Sequence, residues 1–253
     1  MKTFILCGGF GTRLDHEGKL KPKPMVNIGN LPILMHIINY YTKFKITEFV
    51  LCLGYKSHFI INYFLKKGFL KIKNKKYIMI EFKIIKKKIK IFLVKTGINT
   101  GTAGRIKIAY KKLNLNEDFM MTYGDGLSNI SIKKLISYHY KKNKLATISA
   151  VFAKQRYGIL KIKKGLINLF DNSKQRSGVR INGGFFVLSK KIPSLIKNYK
   201  SYFEDTLLKK LIKSKELSAY KHNGFWHSLD NLKDKNELNK IWKAGSAPWK
   251  IKK

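Results

Sequence analysis

Gly8, Gly9 and Gly11, with Thr12 and Arg13 directly behind them and Lys21-Pro22-Lys23-Pro24 a short polar loop later, are residues of the types and spacing that wrap phosphates. Glycine has no Cβ, so the chain can turn at positive φ and bring its N–H groups close to an anion. Arg13 adds a planar, forked cation and Lys23 a compact one. The loop differs from the Walker A pattern, because no Gly-Lys-Ser/Thr follows the glycines, and from the dinucleotide fingerprint, whose spacing it does not match. It reads as a nucleotide site. Phe4-Ile5-Leu6-Cys7 ahead of it reads as a buried strand that delivers Leu6 and the glycines to that site.

Chemistry on a nucleoside triphosphate places negative charge on the reacting phosphate and on the departing group, so the site needs cations and a divalent metal held by carboxylates. The chain has only fourteen acids. Asp15, Glu17, Glu48, Glu81, Glu117, Asp118, Glu216, Asp234 and Glu237 read as surface residues of loops and helices. Asp125 and Asp230 each follow an apolar run in a Gly- or aromatic-rich context, and are the natural pair for a divalent cation. Thr100-Gly101-Thr102-Ala103-Gly104-Arg105 opens a helix with hydroxyls, glycines and an arginine. That is either a second anion-binding arrangement or an ordinary helix cap.

The elements that must position these residues follow a β-α-β-α pattern. Strands are expected at Thr3 to Cys7, Glu48 to Leu53 and Phe119 to Tyr123, with helices from Ile33 to Phe44, Ser57 to Lys66 and about Thr100 to Leu113. Met25 to Ile28 reads as extended. Two or three half-solvated strands fill 68 to 95, and the lysine runs at 73 to 76 and 86 to 88 read as their turns. The second half reads as a helix from Ile132 to Lys141, a strand from Ala146 to Phe152, a hairpin around Lys164-Gly165 and a strand from Ile181 to Leu188. A helix beginning at Glu204-Asp205, a strand from Leu217 to Lys221 and a closing helix from Asn231 to Lys243 complete it. The pattern implies an α/β fold, a Rossmann-like doubly wound mixed sheet with ligand loops at strand carboxyl ends, in a single domain over 1–253. A small β-rich acceptor-side subdomain and a C-terminal helix complete the expected fold.

The formal charge of +39, from 53 basic and fourteen acidic residues, invites a nucleic-acid reading. The detail argues against it. Arginine occurs only at 13, 105, 156, 176 and 180, and the 48 lysines are spread along a chain also rich in Ile, Asn, Tyr and Phe. A reader of bases would use arginine and cluster its charge. No specific nucleic-acid partner is expected, and a nonenzymatic polyanion binder stands as the rival from another class. No signal segment or membrane span is visible, so the cytoplasm is expected. Cys7 and Cys52 read as small core residues.

The Gly-Gly-x-Gly-Thr-Arg-Leu run with its later Pro-Lys resembles the signature of the sugar-phosphate nucleotidyltransferases, and Lys21-Pro22-Lys23-Pro24-Met25 is similar to the variant found in glucose-1-phosphate cytidylyltransferases. Thr122-Tyr123-Gly124-Asp125-Gly126, Ile181-Asn182-Gly183-Gly184, Gly224-Phe225-Trp226, the run from Asp230 to Lys235 and Ala247-Pro248-Trp249-Lys250 extend the resemblance over nearly the whole chain. It implies transfer of CMP from CTP to a phosphorylated small-molecule acceptor with release of pyrophosphate. Mg2+ would sit on Asp125 and Asp230, nucleotide on Leu6 to Arg13, Thr100, Thr102, Arg105 and Gly124, phosphate on Lys23, and acceptor on Asn182, Gly183 and Trp226. It also implies a homo-oligomer and a part in surface polysaccharide synthesis. One departure stands out: where the family carries Glu-Lys-Pro, this chain has Asn172-Ser173-Lys174, with Asp171 beside them. Glucose 1-phosphate is therefore expected as a weakened acceptor, with a non-sugar acceptor such as L-glutamine phosphate as the alternative.

Overall fold

The computed structural model describes the backbone of residues 1–10, 20–154, 159–163, 166–171 and 176–250, and the side chains of those outside 153–178. Gly11, Thr12, Arg13 and the segment Asn172-Ser173-Lys174 lie outside the described residues. In chain order, β1 (Thr3–Cys7) is followed by a 3-10 turn at Lys23–Met25, the short pair β2 (Asn27–Ile28) and β3 (Leu31–Pro32), and the helix Ile33–Lys43. Then come β4 (Glu48–Leu53), the helix Ser57–Lys67, β5 (Phe69–Lys73), β6 (Ile78–Ile84), β7 (Lys87–Lys95) and the helix Thr102–Lys112. β8 (Phe119–Tyr123), β9 (Gly126–Ser128), the helix Ile132–Lys142, β10 (Ala146–Lys154), β11 (Ile159–Lys163), β12 (Leu166–Asp171) and β13 (Arg176–Leu188) carry the middle of the chain. A π-helix at Phe203–Leu208 runs into the helix Lys209–Lys213, and β14 (Leu217–His222), β15 (Trp226–Ser228) and the helix Leu232–Lys243 close the fold.

Among the described residues nine strands form one sheet in the order β14-β10-β13-β8-β1-β4-β7-β6-β5. β1 lies at its centre, parallel to both β4 and β8. β13 runs antiparallel to β8 and β10, so the sheet is mixed. Strand alternation divides the core between its two faces. Ile5, Leu51, Met120 and Val187 pack on the face of the Ile33–Lys43 helix. Phe4, Val50, Cys52, Phe119 and Phe186 pack on the face of the Thr102–Lys112 helix. Because both faces are covered, the central strands are apolar at nearly every position. Cys7 and Cys52 are buried free thiols, as their place on those strands implied.

Four local expectations are corrected. Met25, expected to open the extended segment, instead ends a 3-10 turn at Lys23–Met25, because its N–H bonds back to Pro22 O at 2.8 Å. The β6–β7 turn falls at Ile85 and Lys86, both at positive φ, so Lys87 and Lys88 belong to a strand. The segment after Tyr202 opens as a π-helix. Glu81 and Asp234, expected at the surface, are 7% and 8% exposed. Glu81 is buried beside Lys88 at 3.1 Å, and Asp234 beneath the helix end that it caps.

Candidate active site

The central strands end on one side of the sheet at a cavity of about 920 Å³, lined by Leu6, Gly8, Gly9, Lys23, Thr100 and Tyr123 among others. A second cavity of about 230 Å³ adjoins it, lined by Asn182, Gly183, Trp226, Ser228 and Asp230. Tyr123 and Asp125 line both. Gly124, between them, has no room for a side chain: a Cβ there would stand 2.8 Å from Leu6 O and 2.9 Å from a Pro24 ring carbon. That contact keeps β8 tight against the end of β1, where the glycine loop begins.

Asp125 and Asp230 are brought together by a small ribbon. β9 and β15 pair antiparallel with Ser228 opposite Gly126, and Leu229 N–H then donates to Asp125 O at 2.9 Å. The next residue is Asp230. Lys23 Nζ, on the 3-10 turn after the glycine loop, bonds Asp125 Oδ2 at 2.5 Å and Asp230 Oδ1 at 2.9 Å. Burial alone would lower the ammonium pKa, but the two carboxylates outweigh it and the net shift is upward. Asp230 is held further by Ser228 Oγ at 2.6 Å and, through its backbone N–H, by Asp234 Oδ2 at 2.9 Å. Two carboxylates converging on one cation are the hard-oxygen donor set that Mg2+ takes, with its remaining positions left to water and phosphate oxygens. Among the described residues no group of three or more potential metal ligands exists. Two carboxylates are the share of protein ligands that an ion held jointly with substrate phosphates takes.

The sequence left the start of the helix Thr102–Lys112 open between an anion site and an ordinary cap, and the structure fills two of the amides there. Gly101 N–H donates to Tyr199 O at 2.9 Å and Ala103 N–H to Ser201 O at 3.2 Å, so these amides are already taken. A Cβ on Gly104 would meet Tyr199 O at 1.9 Å, which is how the 199–201 backbone gets so near. Arg105 is 4% exposed. Its guanidinium donates to Gly8 O, Leu53 O, Gly97 O, Ile98 O and Thr96 Oγ1 at 2.7 to 3.4 Å. A buried guanidinium must satisfy its donors, and the carbonyls of three loop ends are what surrounds it. Thr100 Oγ1 donates to Thr96 O at 2.7 Å, and Thr102 Oγ1 accepts from Phe203 N–H at 2.7 Å. Thr100, Thr102 and Arg105 still line the larger cavity, and in this arrangement they shape its wall.

On the acceptor side Trp226 donates its indole N–H to Gly183 O at 2.7 Å, so it fixes the β13 backbone and offers a ligand its ring. The sequence reading left out Ser228, the Asp234 contact with Asp230, and Glu204 with its bond to Tyr123. Of these only Asp234 carried a local signal, the Asn-x-x-Asp spacing of a capping box, which the structure forms with Asn231. No helix among the described residues is long and apolar enough to cross a membrane.

Comparison with known proteins shows the family. The nucleotidyl transferase family model matches residues 2–242. The glucose-1-phosphate cytidylyltransferase of Salmonella typhimurium (strain LT2) is 40% identical over 255 residues, covering 99% of each chain. Among solved structures, HddC from Yersinia pseudotuberculosis has a TM-score of 0.70 at 26% identity, over 95% of this chain and 99% of that one. A UDP-glucose pyrophosphorylase complexed with UDP-glucose shares the fold, with a TM-score of 0.69 at 17% identity over 96% and 98% of the two chains. The chain belongs to the nucleotidyl transferase family, in its glucose-1-phosphate cytidylyltransferase group.

Proposed function

We propose that this protein transfers a cytidylyl group from CTP to glucose 1-phosphate, forming CDP-glucose and pyrophosphate. The observation that carries the reading is the meeting of Asp125, Asp230 and Lys23 where a nucleotide-sized cavity adjoins a smaller one, in a chain 40% identical over its full length to a glucose-1-phosphate cytidylyltransferase. CTP fills the larger cavity with its phosphates on the glycine loop, Arg13 and Lys23, and glucose 1-phosphate the smaller one against Asn182, Gly183 and the Trp226 ring. A phosphate oxygen of the acceptor attacks the α-phosphorus in line, a P–O bond forms, and the bond to pyrophosphate breaks. Lys23 leaves its carboxylates for the phosphates as the substrate enters, and its charge stabilises the transition state. Mg2+ held by Asp125 and Asp230 would offset phosphate charge there. Cytoplasmic location, homo-oligomeric assembly and a place in surface polysaccharide synthesis belong to the same reading and rest on the family resemblance.

Pyrophosphate release measured with CTP, UTP, GTP and dTTP against glucose 1-phosphate tests the reading, with L-glutamine phosphate as the competing acceptor. CTP with glucose 1-phosphate is expected to be the fastest pair. A faster rate with the glutamine compound would transfer the acceptor assignment to it, and no release with any pair would overturn the enzyme reading.

A further inference from the structure

Glu204 lines neither cavity, yet it reaches both through hydrogen bonds. It lies in the π-helix Phe203–Leu208, a rare form that is frequent at functional positions. Its carboxylate accepts from the Tyr123 hydroxyl and from Thr102 Oγ1, the latter at 3.3 Å. The Tyr123 oxygen in turn accepts from Asn182 Nδ2 at 3.5 Å, and Asn182 Oδ1 accepts from Gly184 N–H at 2.8 Å. A continuous line of hydrogen bonds thus runs from Thr102 on the nucleotide side to Asn182 on the acceptor side, and Tyr123 is the wall between them.

The direction of each bond is dictated. An ionised carboxylate only accepts, so Tyr123 must donate to Glu204 and is left with lone pairs for its other neighbour. Burial raises the Tyr123 phenol pKa, and the Glu204 charge raises it further, so the hydroxyl keeps its proton. At the far end Gly184 N–H requires an oxygen. Both ends therefore demand the same amide orientation of Asn182, with its NH2 group toward Tyr123 and one N–H left for a ligand. Replacing Glu204 by a group that cannot accept would free the Tyr123 hydroxyl to turn its proton toward Asn182, and only the Gly184 bond would then hold the amide in place.

We propose that Glu204 is a positioning residue for the acceptor: through Tyr123 it holds Asn182 as a hydrogen-bond donor to an oxygen of the sugar phosphate. The proposal rests on the function proposed above for what fills the smaller cavity. Glu204→Ala and Tyr123→Phe should raise KM for glucose 1-phosphate about tenfold, the loss of one hydrogen bond, and leave KM for CTP within about twofold of the parent. The double variant should be no worse than Tyr123→Phe, since both changes act through one hydroxyl. Glu204→Gln keeps an acceptor oxygen and should recover most of the loss. A readout that needs no substrate is the side-chain amide resonance of Asn182 in isotope-labelled protein, assigned by its disappearance in Asn182→Asp. It should move in Tyr123→Phe and Glu204→Ala and stay near its parent position in Glu204→Gln. Equal rises in both Michaelis constants, additive losses in the double variant, or an unmoved Asn182 resonance would each overturn the proposal. If Glu204→Ala does not fold, Glu204→Gln and Tyr123→Phe still separate the outcomes. If the parent releases no pyrophosphate from CTP and glucose 1-phosphate, the proposed function fails, and the Asn182 resonance still decides the role of Glu204.

Discussion

Lys23 stands between two carboxylates that would repel each other without it. Removing either acid removes a ligand the proposed metal needs, so Asp125→Asn and Asp230→Asn should each abolish pyrophosphate release while circular dichroism stays at the parent level. Lys23→Ala should lower kcat about a hundredfold or more. It also leaves two acids facing one another in a half-buried site, so its metal-free form should lose about 1–3 kcal/mol of stability. Added Mg2+ should raise its melting temperature more than that of the parent, and equal shifts would place the ion elsewhere. A second prediction concerns His36 and His139, both 3% exposed. His36 Nε2–H donates to Ile28 O at 2.8 Å and its Nδ1 accepts from Trp249 at 3.3 Å, so the ring sits neutral in the core. Burial lowers both histidines below their ordinary value of 6.5. The unfolded chain therefore binds more protons than the folded one as pH falls through that value, and stability drops with it. Urea midpoints should fall between about pH 7.5 and about pH 5.5, and fall less in His36→Gln.

Short elements, rather than the long strands, decide where the acids meet. The three-residue strands β9 and β15 carry Asp125 and Asp230 to one point, and the helix Leu232–Lys243 locks the second through its capping box. Asp234→Ala removes the acceptor for the Asp230 and Asn231 N–H groups. It should cost about 1 kcal/mol of stability. Because it loosens the backbone of a proposed metal ligand, it should also lower kcat with little change in either Michaelis constant; an unchanged kcat would leave Asp234 as a cap alone. The clasp between the Thr102–Lys112 helix and residues 199–201 is the second such element. Gly104→Ala would push a methyl group into Tyr199 O, and should cost about 1–3 kcal/mol. Since Lys200 and Tyr202 line the larger cavity, KM for CTP should rise with it. Loss of stability without a change in that constant would show that the clasp serves the fold alone.

Across the whole molecule, +39 formal charges act at long range whatever the site does. A lysine-rich surface attracts polyanions by counterion release, without reading sequence. Binding to duplex DNA should be measurable at low salt, show no preference among sequences, and fall linearly in log K against log salt to a negligible level by about 0.2 M. Retention of a preferred sequence at that salt would give the charge a specific role.

The sequence alone determined the central strands and singled out the glycine loop and the pair of acids, because each is a local pattern. A five- or six-residue apolar run that stops at a glycine reads as a buried strand, and β4 and β8 run over the residues expected of them. Asp125 and Asp230 were legible because few acids exist to choose among. What only the tertiary structure decided is which polar groups face one another. Thr100, Thr102 and Arg105 read as nucleotide-side residues at a helix start, and nothing within the helix could reveal that Tyr199 and Ser201 take up the neighbouring amides or that the ends of three loops take up the Arg105 donors. Glu204 reads as a helix-start acid until Tyr123, 81 positions away in the chain, arrives beside it, with Asn182 on the far side of Tyr123. Local patterns record backbone geometry and burial, whereas a hydrogen bond between distant segments depends on sheet order and register, which no single segment encodes.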